Sequence, residues 1–161
     1  MKQIIILLSL SFVFAVQAAA PFRIAREAMP QICVEPGLRP FVARAAEDLA
    51  NDLEKIFGVR PKIGPETAQA NAIVLSKSGE GWEKYELRSA PGNVLRITGS
   101  DDRGVMFGVY RFCSDFLGVD PFYHWSGLFP ALAASRDWPE IALSQGEPSF
   151  RFRGWFVNDE D

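Results

Sequence analysis

One amphipathic segment limits what this chain can fold into. Between residues 40 and 57, apolar side chains recur at steps of three and four, and charged and polar side chains fill the other positions. This period predicts a long helix with one buried and one exposed face. Pro40 suits its first turn, and Gly58 is placed to end it. A helix that is apolar on one side must cover another element, so we expect it on the outside of a sheet.

Apolar and alternating runs predict the strands of that sheet. An unbroken apolar run at 72–75 is typical of a central strand. The turn-forming residues 90–93 separate two alternating runs, which predicts an antiparallel hairpin. The predicted strands are residues 22–26, 31–34, 72–75, 85–88, 94–98 and 140–143.

A second helix is predicted over residues 103–117, with Asp101 or Asp102 as its cap. Its apolar stripe consists of Val105, Val109, Phe112, Cys113, Phe116 and Leu117. Gly104 and Gly108 lie four residues apart, and a glycine inside a helix costs roughly 1 kcal/mol relative to alanine. We therefore expect another segment to approach this side of the helix closely, so that Gly108→Leu costs a few kcal/mol by overpacking.

The order of these elements is strand, strand, helix, strand, hairpin, helix and tail. It predicts an α+β domain with a mainly antiparallel or mixed sheet and two helices packed on one face. Residues 120–125 are aromatic and are expected to be extended, and residues 130–139 are expected to form a loop.

The first 18 residues have the pattern of a secretory signal peptide. A positive start is followed by an uncharged apolar run at 4–16, and Val16-Gln17-Ala18 favours cleavage after Ala18. The alternative is an uncleaved N-terminal anchor, but a membrane helix needs about 20 apolar residues. We expect a secreted or periplasmic protein that is not held in a membrane after cleavage.

Composition excludes several classes of function. The 161 residues carry a formal net charge of −3 at pH 7 with dispersed basic residues, which argues against a nucleic-acid partner. The chain contains one His and two Cys, too few for a zinc site or a disulfide scaffold. Cys33 and Cys113 are expected to be buried free thiols, with a disulfide as the alternative in an exported protein. No sequence motif indicates a metal or a cofactor, and none is expected.

The acidic ending is the most suggestive chemical feature. An aromatic, strand-like segment at 150–157 leads into Asn158, Asp159, Glu160 and Asp161. Barrel enzymes hold acid–base groups at the C-terminal ends of strands, and most glycoside hydrolases use paired carboxylates. The alternative is an acidic tail that keeps the terminus soluble.

Aromatic residues offer a second candidate surface. Tyr123, Trp125 and Trp155, with Phe122, have flat faces that could stack on sugar rings, or they could serve core or interdomain packing. His124 lies in the same run and is expected to be structural, because no nucleophile motif accompanies it.

Two segments resemble a known family. Residues 95–110, with a Gly-x-Asp-x-Arg-Gly turn between a strand and a helix, resemble the small N-terminal domain that precedes the catalytic barrel in α-glucuronidases. Residues 117–125 and 152–161 resemble the aromatic stretch after that helix and the entry into the first barrel strand. The likeness is greatest to the xylan α-glucuronidases of glycoside hydrolase family 115. It extends more distantly to family 67 α-glucuronidases and the β-hexosaminidase N-terminal domain.

The resemblance implies a division of the chain. Residues 19–146 would be a non-catalytic accessory domain, and residues 147–161 a linker and the first strand of a missing (β/α)8 barrel. It gives structural roles to the turn and helix residues Gly99, Asp101, Arg103, Gly104 and Gly108, and it places Asn158, Asp159 and Glu160 beside the sugar cleft.

The implied function is that of part of an exported glycoside hydrolase acting on glucuronoxylan or other plant polysaccharide with uronic acid. No complete catalytic set is expected in this chain. Two departures leave the substrate open: His124 stands where relatives more often carry Trp, and 126–128 replaces an acidic continuation. The alternatives are a stand-alone carbohydrate-binding module and a non-catalytic remnant.

Overall fold

A mixed sheet with two long helices on one face forms the body of the computed structural model, which describes residues 20–65 and 70–154. The elements are β1 (Phe22–Ala25), β2 (Gln31–Val34), α1 (Pro40–Phe57), β3 (Ile63–Pro65), β4 (Ala72–Lys77), β5 (Tyr85–Ala90), β6 (Val94–Gly99), α2 (Asp102–Asp115), α3 (Tyr123–Ser126), β7 (Ser135–Trp138) and β8 (Ala142–Gln145).

The larger sheet has the strand order β3-β2-β4-β6-β5-β8. The strands β3, β2, β4 and β6 run parallel to one another, β5 is antiparallel to β6, and β8 is antiparallel to β5. The α+β class and the mixed sheet are therefore confirmed. Within the described residues, parallel pairs outnumber antiparallel ones in this sheet, because α1 carries the chain over one face and lets β3 return alongside β2.

The smaller sheet pairs the two ends of the domain. β1 runs antiparallel to β7, with Phe22 opposite Trp138. Asn93, in the left-handed turn of the β5–β6 hairpin, joins this sheet to the larger one. Its side chain accepts a hydrogen bond from the Arg23 backbone N–H at 2.7 Å and donates one to the Arg23 carbonyl at 2.8 Å.

The core lies between the helices and the larger sheet. α1 buries its apolar face as predicted and ends at Gly58, whose φ is +76° and whose N–H donates to the Glu54 carbonyl at 2.7 Å. The buried residues of the main cluster come from both layers: Val42, Ala46, Leu49, Leu53, Phe57, Ile73, Leu75, Leu95, Ile97, Val105, Val109 and Phe112 are among them.

α2 begins at the predicted place. Asp101 is its cap, and its carboxylate accepts a hydrogen bond from the Gly104 N–H at 2.7 Å. The predicted close approach is present, since a Cβ on Gly104 would overlap the Lys84 carbonyl oxygen and one on Gly108 would lie 2.7 Å from Ile97 Cγ2. The helix ends at Asp115, two residues before the predicted end.

Four local predictions differ from the structure. Residues 123–126 form the short helix α3 instead of an extended segment, and 135–138 form β7 instead of a loop. The last predicted strand lies two residues later, as β8, and β3 had not been predicted. The three strands among them depend on partners distant in sequence, whereas α3 is held by local hydrogen bonds such as Ser126 to Asp120.

The predicted strand at 150–157 is described only in part. Residues 150–154 form no strand. Trp155, Asn158, Asp159 and Glu160 lie outside the described residues, and so does the expected signal peptide at 1–18. Over the described ranges, no helix is both long and apolar enough to cross a bilayer.

The Gly104 contact gives the first prediction. Gly104→Ala should lower the free energy of unfolding by about 1–3 kcal/mol, because the new methyl meets a backbone carbonyl that cannot rotate away. The matched control is Gly146→Ala, where a Cβ would meet nothing within 4 Å, and we expect a change within about 0.5 kcal/mol. Urea unfolding of both variants provides the comparison, and an equal effect at the two sites would contradict the predicted overlap.

Candidate functional site

A buried glutamate contacts two segments that each contain an Arg-Gly pair, residues 95–110 and 152–161. Glu83 precedes β5 in the left-handed region, with φ of +54°, and is only 4% exposed. Its Oε1 lies 2.9 Å from Arg103 Nη2, and its Oε2 binds the guanidinium of Arg153. One carboxylate therefore pairs with an arginine from each of the two Arg-Gly motifs.

The turn before α2 holds Glu83 in place. The Lys84 N–H donates to Ser100 Oγ at 3.1 Å, and the Ser100 N–H donates to the Lys84 carbonyl at 3.0 Å. Gly99 and Gly104 allow this approach, because a Cβ at Gly99 would overlap the backbone nitrogen of Val105. The Gly-x-Asp-x-Arg-Gly turn thus packs directly against the residue after Glu83, and it brings Arg103 within reach.

Arg153 anchors the segment that follows β8. Its Nη1 donates to the Phe150 carbonyl at 2.6 Å, and its guanidinium carbon lies 5.9 Å from the Trp82 ring and 6.0 Å from the Phe107 ring. A cavity of about 340 Å³ lies beside this junction. The segment 147–154 is therefore bound to the domain by charge as well as by aromatic contact.

Sequence reasoning missed Glu83. It assigned no role to Glu83, whose two arginine partners lie 20 and 70 residues away along the chain. One signal could have pointed to it. The segments 95–110 and 152–161 each contain an Arg-Gly pair, and two arginines brought together call for an acid between them.

The aromatic candidates divide into packed and exposed residues. The Tyr123 ring stacks on His124 at 4.2 Å between centroids and lies 5.5 Å from Phe129, with Lys55 Nζ 4.8 Å from its centroid. Trp125 is 82% exposed. Of these two, Trp125 has its ring exposed to solvent, and Tyr123 is packed against its neighbours.

Two acids of α1 contact hydrogen-bond donors of α2 across the groove between these helices. The Tyr110 hydroxyl donates to Asp48 Oδ2 at 2.9 Å, and one turn further along α1 the carboxylate of Asp52 meets the thiol of Cys113. The groove has a volume of about 870 Å³. The sequence pattern assigned Asp52 to the exposed face of α1, which is wrong, because its side chain lies at the α1–α2 contact and is only 8% exposed.

Burial raises the pKa values of three groups that line this groove. It raises the pKa of Asp52 above the ordinary value of 3.8, although the Cys113 thiol and Lys55 oppose the change. Burial and the neighbouring Asp52 also raise the pKa of the Cys113 thiol well above its usual range. Burial and the hydrogen bond to Asp48 raise the pKa of Tyr110 to about 12. Cys113 is therefore an unreactive thiol rather than a nucleophile.

The two cysteines are buried free thiols, as predicted. Cys113 belongs to the main core, whereas Cys33 belongs to a separate cluster with Ala72, Val74, Ala90 and Val94. Among residues 20–65 and 70–154, no group of three or more potential ligand side chains could hold a metal ion.

The chain is similar in fold to parts of two solved glycoside hydrolases. No protein-family model and no curated protein matches its sequence. It matches a family GH115 4-O-methyl-α-glucuronidase with specificity for decorated arabinogalactans, with a TM-score of 0.66 and 19% identity over 78% of this chain and 18% of that one. This fold occurs within glycoside hydrolases.

The second match is a Streptomyces plicatus N-acetyl-β-hexosaminidase, with a TM-score of 0.53 and 24% identity over 80% of this chain and 23% of that one. In both cases the chain spans less than a quarter of the matched protein. The likeness is one of fold, and it concerns a small part of each enzyme.

The contact of Glu83 with Arg153 leads to a prediction about the segment 147–154. Glu83→Gln should destabilise the chain by about 1–3 kcal/mol, because charged hydrogen bonds to two arginines are lost. It should also speed trypsin cleavage after Arg153, since that side chain is no longer held. Mass spectrometry of timed digests measures the cleavage.

The matched control for that experiment is Glu86→Gln, which removes an exposed ion pair with Arg88 on β5. Exposed pairs contribute about 0–1 kcal/mol, so we expect stability and cleavage close to those of the natural chain. Equal protection of Arg153 in both variants would show that Glu83 does not hold the segment.

The pKa of Asp52 generates a prediction on pH. Cys113, Lys55 and Asp48 are the titratable groups that act on it. Because its folded pKa is raised, the folded state keeps a proton that the unfolded state has lost, so stability falls as pH rises above 3.8. Asp52→Asn should therefore gain stability relative to the natural chain as pH rises through this window. The measurement is thermal unfolding of both proteins at pH values between about 3.5 and neutrality. If stability depended on pH in the same way in both proteins, the prediction would be wrong.

Proposed function

We propose that this chain is the N-terminal, non-catalytic domain of an exported, α-glucuronidase-like glycoside hydrolase. The observation that carries the proposal is the fold match to the GH115 α-glucuronidase, which covers 78% of this chain but only 18% of that enzyme. A chain with the fold of one small part of such an enzyme is best explained as the corresponding part of a related enzyme. Its substrate would be glucuronoxylan or another plant polysaccharide that carries uronic acid.

The Glu83 junction supports a role next to a following domain. A domain that binds its own outgoing segment through a buried carboxylate fixes the direction in which the chain leaves. That arrangement suits a support for a catalytic barrel, which needs its first strand in a defined place. The leader-like pattern at 1–18 is the reason for proposing export to the periplasm or the medium.

The two α1 acids that line the groove, Asp48 and Asp52, are not arranged as a glycosidase pair. Hydrolysis needs two carboxyl groups on opposite sides of a scissile bond, roughly 5–9.5 Å apart. Asp48 and Asp52 line the same groove, but they lie one turn apart on a single helix and both face α2. They therefore stand on one wall, and Asp48 is already engaged by Tyr110 and Arg44.

The test compares two proteins in one assay. The chain ending at Asp161 should not hydrolyse aldouronic oligosaccharides, whereas the protein made from the longer genomic reading frame should do so. Activity of the 161-residue chain that is abolished by Asp159→Ala would overturn the non-catalytic assignment. A longer reading frame without glycosidase activity would overturn the proposed enzyme.

A carbohydrate-binding module is the second candidate, and the exposure of Trp125 favours it. Phe122 lies beside Trp125 with 5.9 Å between ring centroids, but the rings are inclined at 46° and do not form a flat platform. Binding to insoluble xylan that is lost in Trp125→Ala and kept in Leu132→Ala would support this candidate. Leu132 is a suitable control, because it is an exposed apolar residue of the same segment without a ring.

A further inference from the structure

The groove between α1 and α2 contains a buried carboxylate without a cationic partner. Asp52 is more than nine-tenths buried and lines the groove. Within the described ranges of the chain, no Lys, Arg or His lies within ion-pair distance of it, and its hydrogen-bond donor is the Cys113 thiol.

The neighbouring charges cannot supply what Asp52 lacks. Arg44 is paired with Asp48 at 3.1 Å. Lys55 Nζ lies over the aromatic rings of Tyr123 and Phe129, 4.8 and 5.0 Å from their centroids. Arg44 is therefore paired elsewhere, and Lys55 acts on Asp52 only from beyond ion-pair distance.

Burying a carboxylate without a cation is unfavourable. Removing a carboxylate from water is costly, and the cost is recovered only when a well-placed partner and further hydrogen bonds are present. Asp52 is therefore a group that a cationic partner in the groove would stabilise.

We propose that this groove is the docking site for an arginine side chain of an adjoining protein domain. The arginine would place its guanidinium against Asp52 and its flat face along Tyr110 and Phe107, which line the same groove. Guanidinium suits the site better than ammonium, because it is planar, binds carboxylates in a fork and stacks on aromatic rings.

Charge favours this occupant over a sugar. The groove is lined by four acids, Asp48, Asp52, Glu54 and Asp120, and by two bases, Arg44 and Lys55. This excess of negative charge repels a uronic acid, and a neutral saccharide would leave the Asp52 carboxylate uncompensated. An adjoining protein surface with an arginine removes both difficulties.

The proposal depends on the proposed function for the source of the arginine, because a domain that supports a barrel has a protein neighbour. The test of the proposal does not depend on the proposed function. Amide NMR of the isotope-labelled chain can follow titration with three probes: L-argininamide, its uncharged analogue L-citrullinamide, and the neutral sugar xylotriose. None of these measurements depends on glycosidase activity.

We expect argininamide to produce saturable shifts around Asp52 and Tyr110, and citrullinamide to produce none at the same concentrations. Asp52→Asn should weaken argininamide binding by about tenfold or more, because a charged hydrogen bond is lost. Glu54→Gln is the matched control, since Glu54 lines the same groove but is exposed and already paired with Arg60. It should bind argininamide almost as the natural chain does.

Three results would overturn the proposal: no saturable shift with argininamide, equal binding of citrullinamide, or binding that Asp52→Asn leaves unchanged. Shifts with xylotriose that depend on Asp52 would also overturn it and assign the groove to a sugar. Failure of the proposed enzyme would appear in the hydrolysis assay instead. The two conclusions can therefore fail separately.

Discussion

The structure depends on the burial of two helices against one face of the larger sheet. α1 supplies a continuous apolar face, and its packing on the parallel strands excludes water from the central residues of the sheet. α2 completes this layer, and its glycines let it lie close to β5 and β6. The turn before α2, the Glu83 junction and the groove between the helices all exist because these two helices are held side by side.

The same packing buries a carboxylate group at two places. At one, Glu83 is buried and fully occupied, with an arginine on each oxygen. At the other, Asp52 is buried and served by a thiol. A buried carboxylate is stable when it is paired and costly when it is not. Glu83 therefore forms a completed internal contact. In our proposal, Asp52 is one half of a contact whose other half is an arginine of an adjoining domain.

The elements that depend on local sequence were predictable. α1, its end at Gly58 and the β5–β6 hairpin each follow from residues within the element or next to it. The cap at Asp101 and the tight side of α2 were predictable for the same reason. β3 and β7 were not, because they are short and are stabilised by partners far away in the sequence. The parallel arrangement was underestimated because only the hairpin specifies its own pairing locally.

The candidate sites were less predictable than the fold. Periodicity placed Asp52 on the exposed side of α1, since a helical pattern does not reveal that a second helix covers part of the polar face. Glu83 gave no local signal, because its partners come from two distant segments. Tyr123 and Trp125 could not be separated by sequence, although one is packed and the other is exposed.

The pairing of β1 with β7 has a consequence for how the domain is made. The first strand finds its partner more than a hundred residues later, so a ribosome must release most of the chain before the two can meet. Contacts so far apart in sequence slow folding. The helix α1 and the β5–β6 hairpin can form from contacts within or beside themselves, whereas the β1–β7 pair can close only after residues 135–138 have been made.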